Sequence, residues 1–199
     1  MAKLFVIAGP PASGKSTLIK LLKNPYPSWR FVVNDFFDFL PILKKKEELE
    51  KNFEQDLRLI VKIKVQKNTV IENGPLNAVY YHHFLGAKKA ERYFLKSIKI
   101  YKKLNPLIFF IDTKPEISFR RQQESFLQIL AENNIDKVET INRYLSLYQK
   151  ALYDLYPLFE HYLKKLPFEV TGIKNSYIGQ DEFVRESFLI LQKVILYPS

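Results

Sequence analysis

The sequence predicts an α/β fold in one domain spanning residues 1–199, with a five-stranded parallel sheet flanked by helices. Three observations predict it. Short apolar runs, Leu4–Ala8, Thr69–Ile71 and Leu107–Ile111, alternate with longer stretches whose apolar residues recur at helical spacing. The run Leu107-Ile108-Phe109-Phe110-Ile111 is continuously apolar, the pattern of a parallel strand covered on both faces by helices. Between the first run and the first helix stands a glycine loop, Gly9-Pro10-Pro11-Ala12-Ser13-Gly14-Lys15-Ser16, a complete match to G-x-x-x-x-G-K-[ST].

Taken in order, the first strand is Leu4–Ala8 and the first helix begins at the loop's end with Thr17-Leu18-Ile19-Lys20-Leu21-Leu22. A strand that delivers this loop to a helix N-terminus places unpaired N–H groups and the helix dipole where an anion can sit. Gly9 and Gly14 permit close backbone approach, Lys15 can reach β- and γ-phosphates, and the Ser16 hydroxyl can ligate Mg²⁺. The prediction is a nucleoside-triphosphate site at Gly9–Thr17.

The loop Asn24-Pro25-Tyr26-Pro27-Ser28 leads to a second strand, Trp29–Val33, ending at Asn34-Asp35. A helix is expected from Pro41 to Gln66, on the spacing of Leu49, Phe53, Leu57, Ile60 and Ile63. Thr69–Ile71 carries Glu72 at its end, and Asn73-Gly74-Pro75 turns the chain towards helices filling Leu76–Leu104. After the central strand and Asp112, Pro115 suits the first turn of a helix that carries Arg120 and Arg121. Asp136 and Glu139 form a capping-box pattern before a helix running through Tyr162, which Pro157 should kink or end. Phe168–Val170 is the expected last strand, Thr171-Gly172 its exit, and Asp181–Leu196 an amphipathic closing helix.

The composition narrows the function. Hydrophobic residues are 47% and charged residues 26%, a globular balance. There is no cysteine, which excludes disulfides, thiolate catalysis and cysteine-ligated zinc and agrees with a cytoplasmic protein. No apolar stretch approaches the ~20 residues of a membrane span. The formal charge of +10 favours anionic partners: phosphorylated small molecules, with nucleic acid left open. Most of the lysine excess falls at spacings of solvated helix faces. His82, His83 and His161 have no metal-site spacing and read as ordinary histidines.

Three carboxylates, Asp35, Glu72 and Asp112, fall at strand ends on the edge of the sheet that carries the loop. Phosphoryl transfer to a hydroxyl needs Mg²⁺ held against the phosphates and a carboxylate to take the proton. Asp35 suits the base and Glu72 the metal or its water shell, while Asp112 is expected to cap the following helix. An arginine from Arg120 or Arg121 could grip phosphate oxygens as charge develops, with Arg143 a weaker candidate.

These residues together resemble a family. Gly9–Ser16, Asn34-Asp35, Ile71-Glu72, the segment Asn105–Glu116 and Arg120-Arg121 stand in the order found in P-loop nucleoside and nucleotide kinases, notably deoxynucleoside and thymidylate kinases. The likeness spans most of the chain and is sharpest in the loop and in I-D-x-x-P-E-x-x-x-R-R from Ile111 to Arg121. It implies a P-loop NTPase fold, ATP as donor, Mg²⁺ as cofactor, a helical lid at about 120–134 and an approach of Thr171-Gly172 to the adenine. Two departures bear on the acceptor. Asn73 follows Glu72 where the family usually has Arg, and Asn34-Asp35 is more similar to phage-type polynucleotide 5′-hydroxyl kinases and zeta-toxin-like sugar kinases, where such an Asp is the general base. Asp38, however, stands where polynucleotide kinases tend to carry Arg. The expected activity is transfer of the γ-phosphoryl of ATP to a nucleoside- or nucleotide-like acceptor, by a monomer or homodimer. A polynucleotide 5′-hydroxyl acceptor, an ATP-binding switch and a nucleic-acid-associated ATPase are the alternatives.

Overall fold

The computed structural model describes residues 2–33, 45–63, 65–175 and 180–196. Among them, five parallel strands form one sheet in the order β2-β3-β1-β4-β5. They are β1 (Leu4–Ala8), β2 (Arg30–Val32), β3 (Thr69–Glu72), β4 (Leu107–Asp112) and β5 (Val170–Lys174). The helices between them are α1 (Lys15–Lys23), α2 (Lys46–Val61), α3 (Asn77–Leu85), α4 (Ala87–Tyr101), α5 (Pro115–Glu132), α6 (Val138–Lys164) and α7 (Gln180–Leu196). A short 3₁₀ turn, Gly74–Leu76, joins β3 to α3.

Alternation along β1 explains the layering. Leu4, Val6 and Ala8 point into a core with Phe53 and Leu57 of α2, Tyr80 of α3, Tyr93 of α4 and Phe159 of α6. Phe5 and Ile7 point the other way, onto Leu18 and Leu22 of α1 and Phe183 and Leu191 of α7. All five β1 residues are therefore buried, as a sheet covered on both faces requires. Each large apolar side chain so buried contributes about 1.5–3 kcal/mol relative to exposure. A third cluster, Phe126 and Leu130 against Tyr148 and Leu152, holds α5 to α6.

Several boundaries differ from expectation. Helix α2 ends at Val61 rather than Gln66, because the chain must straighten before Thr69, whose N–H donates to the Lys3 carbonyl at 2.9 Å. Residues 34–44, including the expected start of that helix, lie outside the described residues. The Asp136/Glu139 capping box does not form: Lys137 is the N-cap, with no side-chain bond, and α6 starts at Val138. Pro157 sits inside α6, which continues to Lys164. Its cost of roughly 3 kcal/mol is offset by Leu155, Phe159 and Tyr162, all buried in the same core. Asp112 does not cap α5, since the N-cap is Lys114; the Tyr156 hydroxyl donates to Asp112 Oδ1 at 3.1 Å.

The last strand is the largest shift. It is Val170–Lys174 and not Phe168–Val170, because pairing with β4 sets Ile108 opposite Val170 and Asp112 opposite Lys174. Thr171 and Gly172 consequently lie inside β5, and the chain leaves the sheet at Asn175. Among the described residues no helix is long and apolar enough to cross a membrane.

Candidate active site

At the carboxyl edge of the sheet, β1 hands the chain to the loop and the loop to α1. Gly14 is the α1 N-cap at φ +101°, left-handed backbone that favours glycine. A Cβ there would stand 2.5 Å from a Phe183 ring carbon, and one at Gly9 would stand 2.6 Å from the Ile111 carbonyl oxygen. Ala12 adopts φ +54°, so the loop stores strain at a non-glycine position as well.

Lys15 is folded back onto this loop. Its Nζ donates to the carbonyls of Gly9 at 3.1 Å and Pro10 at 2.9 Å and lies 3.7 Å from Glu72 Oε1. Both side chains are only 4% exposed, so the charges are compensated locally rather than by water. Asn73, next in sequence, ties β3 to the loop: its N–H donates to the Ile7 carbonyl at 2.9 Å, and its Oδ1 accepts from the Gly9 N–H at 3.2 Å. The sequence marked Asn73 as a turn and as a missing arginine; in the structure it is the residue that holds the start of the loop.

The opposite wall comes from α5, the exit of β5 and α7. Arg121 donates to the Ala12 carbonyl at 3.1 Å and to Asn175 Oδ1 at 2.9 Å, and Asn175 Nδ2 donates to the Ser13 carbonyl at 2.6 Å. Burial lowers the Arg121 pKa from its ordinary value. Arg120 is exposed and is not among the residues lining the cleft. The cleft so formed has a volume of about 400 Å³; Ser13, Lys15, Ser16, Thr17, Arg121 and Gln122 line it, with Phe183 beneath. Asn175 and Phe183 were not anticipated, being far from the loop in sequence and of unremarkable residue type.

These features fit a phosphate group. The glycines at 9 and 14 let the loop pack closely against Ile111 and Phe183, Lys15 supplies a cation, and the buried Ser13 hydroxyl has no hydrogen-bond partner. A magnesium ion is met differently. No cluster of three metal-ligating residues occurs among the described residues. Mg²⁺ beside phosphates commonly takes only one or two protein oxygens, and Ser16 in the cleft with Glu72 behind it suits that pattern.

A second cavity, about 320 Å³, lies on the other side of Glu72. Ile60 and Asp56 of α2, Glu72, Asn77, Tyr93 and Tyr101 are on its walls. Burial pushes the Asp56 carboxyl up from its ordinary pKa and the phenols of Tyr93 and Tyr101 up from theirs. Gly172 faces neither space: it lines a third cavity with Phe110, Tyr156 and Phe159. Asp35, the expected base, lies outside the described residues, as do Asn34 and Asp38.

No family model and no curated protein matches the sequence. Solved structures do. YorR of Bacillus subtilis, solved in complex with phosphorylated GDP, matches with a TM-score of 0.56 at 14% identity, over 99% of this chain and 100% of that one. The fold is that of the P-loop kinases. Deoxyadenosine kinase from M. mycoides, with dCMP and dCDP bound, matches at a TM-score of 0.60 and 11% identity, over 96% of this chain and 99% of that one. Shikimate kinase from Bacteroides thetaiotaomicron matches at 0.53 and 15%, over 98% of each chain.

Proposed function

We propose that this chain is a kinase that moves the γ-phosphoryl of ATP, with Mg²⁺, to the hydroxyl of a nucleoside- or nucleotide-like acceptor. One observation carries the reading: the Lys15–Glu72 pair joins two cavities, Lys15 lining the loop cleft and Glu72 the second cavity. A donor in the first cleft and an acceptor in the second would meet at this pair. Two structural neighbours hold nucleotides, dCMP and dCDP in one and phosphorylated GDP in the other, which supports the acceptor class.

The chain's residues divide the work. Within the Gly9–Thr17 loop the N–H groups of Gly14–Thr17 bind the donor's phosphates, and Lys15 leaves its carbonyl partners to follow the γ-phosphoryl. Ser16 and Glu72 would hold Mg²⁺ or its water shell, and the ion would neutralise phosphate charge. Arg121 turns from Ala12 and Asn175 onto phosphate oxygens, with Arg120 and the rest of 120–134 closing as a lid, whereas Gly172, which lines the third cavity, takes no part in the adenine side. Asp35 takes the acceptor's proton as its oxygen bonds to the γ-phosphorus and the bond to the leaving ADP breaks. A cysteine-free sequence suits cytoplasmic work.

The test is transfer from γ-labelled ATP to nucleosides, nucleotides, 5′-hydroxyl oligonucleotides and water. Transfer to a nucleoside or nucleotide is the expected result. Labelled oligonucleotide alone would move the acceptor class to polynucleotides, and hydrolysis with no acceptor would replace the kinase by an ATP-binding switch.

A further inference from the structure

The second cavity has a carboxylate where helix packing would favour an apolar residue. Helix α2 buries Leu49, Phe53, Leu57 and Ile60, and Asp56 falls on that face, three residues after Phe53 and four before Ile60. Setting a carboxylate among Ile60, Ile71, Tyr93 and Tyr101 costs solvation. The surrounding residues nevertheless hold it in place. The Tyr81 hydroxyl donates to Asp56 Oδ2 at 2.7 Å, and Asn77 Nδ2 approaches the same oxygen at 3.5 Å. The Asn77 amide is oriented in turn by the Tyr93 hydroxyl at 3.4 Å.

An ionised carboxylate only accepts hydrogen bonds, so a guest group set against it, beside the Tyr81 and Asn77 donors, must itself be a donor. A second acceptor stands on the same wall: the Asn77 side-chain carbonyl is buried with no hydrogen-bond partner. The remaining surface, aliphatic and aromatic, suits a flat ring. We propose that Asp56 reads the exocyclic amino group of the acceptor's base, so that the acceptor is a cytosine or adenine nucleoside or nucleotide rather than its keto counterpart. This rests on the second cavity being the acceptor site. A keto oxygen set against Asp56 would place two acceptors face to face with no proton between them, and the keto oxygen would gain no donor there in exchange for its water. Sites built to hydrogen-bond a substrate group discriminate strongly against analogues lacking it.

Two pairs of nearly isosteric acceptors test it with the full-length chain: deoxycytidine against deoxyuridine and deoxyadenosine against deoxyinosine, each also as the 5′-monophosphate. Wild type should favour at least one amino member in kcat/KM by on the order of 10²-fold. In Asp56→Asn, whose carboxamide can donate as well as accept, that ratio should fall to within roughly tenfold. Tyr81→Phe keeps the ring and removes the hydroxyl that orients Asp56; its ratio should fall several-fold, expressed in KM rather than kcat. Thermal melting identifies which variants are folded. Equal use of amino and keto members by wild type, or an unchanged ratio in either folded variant, overturns the role of Asp56 while leaving the kinase standing. Transfer to no nucleoside or nucleotide overturns both readings together.

Discussion

The two cavities that meet at Lys15 and Glu72 are built by opposite means. The loop cleft is made largely of backbone and of short side chains from one stretch, Ser13–Thr17, braced by Arg121 and Asn175. The second cavity takes side chains from β2, α2, β3, α3 and α4, elements spread from Arg30 to Tyr101. Backbone that must approach a phosphate closely restricts every residue along the stretch, and that restriction is written as a contiguous motif. A side-chain pocket restricts only what faces inward, one residue here and one there, and the intervening positions are free to vary.

The comparison would break most visibly at Lys15. If the pair serves both spaces, Lys15→Ala should lower transfer by roughly 10³-fold or more, since the cation is used throughout the reaction. Circular dichroism establishes that the variant is folded, and single-turnover transfer gives the loss. Near-normal turnover by a folded variant would detach the loop from the chemistry.

Asp35→Asn comes next. It keeps the shape and removes the base, so transfer should fall by roughly 10²–10⁴-fold while a non-hydrolysable ATP analogue binds as before. The two spaces would then part company: donor binding intact, acceptor chemistry lost. Parallel loss of both would make Asp35 a structural cap, and unchanged transfer would move the base elsewhere.

What the sequence made legible follows the same division. The loop, the central strand and Glu72 at a strand end were readable because each is a local pattern: a glycine spacing, a continuous apolar run, a polar residue closing it. The extent of β5 was not, since Val170–Lys174 is fixed by its register against Ile108–Asp112, a pairing across distant sequence. Asn175 and Phe183 reach the loop only through the folded sheet edge and α7. Asp56 is the hardest case. It lies in a helix that also carries Glu47, Glu48, Glu50 and Glu54, and nothing in its immediate sequence separates it from those solvated acids. Only the packing of α3 and α4 against α2 turns it inward.

The arginines sharpen the donor side. Spacing left Arg120 and Arg121 equivalent, whereas Arg121 reaches the loop carbonyl of Ala12 and lines the cleft, which Arg120 does not line. Arg121→Ala should therefore cost roughly 10²–10³-fold in single-turnover transfer, the scale of one lost donor to developing charge, against a change of a few-fold for Arg120→Ala. The reverse ranking would mean that the lid rearranges enough to exchange the two.

Glu72 gives a smaller and more discriminating effect, because it lines the second cavity and faces Lys15 of the first. Replacing it with Gln keeps the volume and a hydrogen-bonding oxygen but removes the charge that faces Lys15 at 3.7 Å. If the carboxylate orders Mg²⁺ through its water shell, the metal concentration for half-maximal rate should rise on the order of tenfold, the lower end of what outer-shell ligands contribute. Metal-free ATP binding should change less, since the loop amides and Lys15 remain. Losing the partner charge leaves Lys15 more free to follow the phosphates, which acts against any weakening of nucleotide affinity. The two quantities are therefore expected to diverge, and magnesium titration of the rate beside metal-free ATP binding measures both. An unchanged metal requirement would reduce Glu72 to the counter-ion that holds Lys15 in place. Equal shifts in both quantities would show that it acts on the nucleotide through Lys15 and not on the metal.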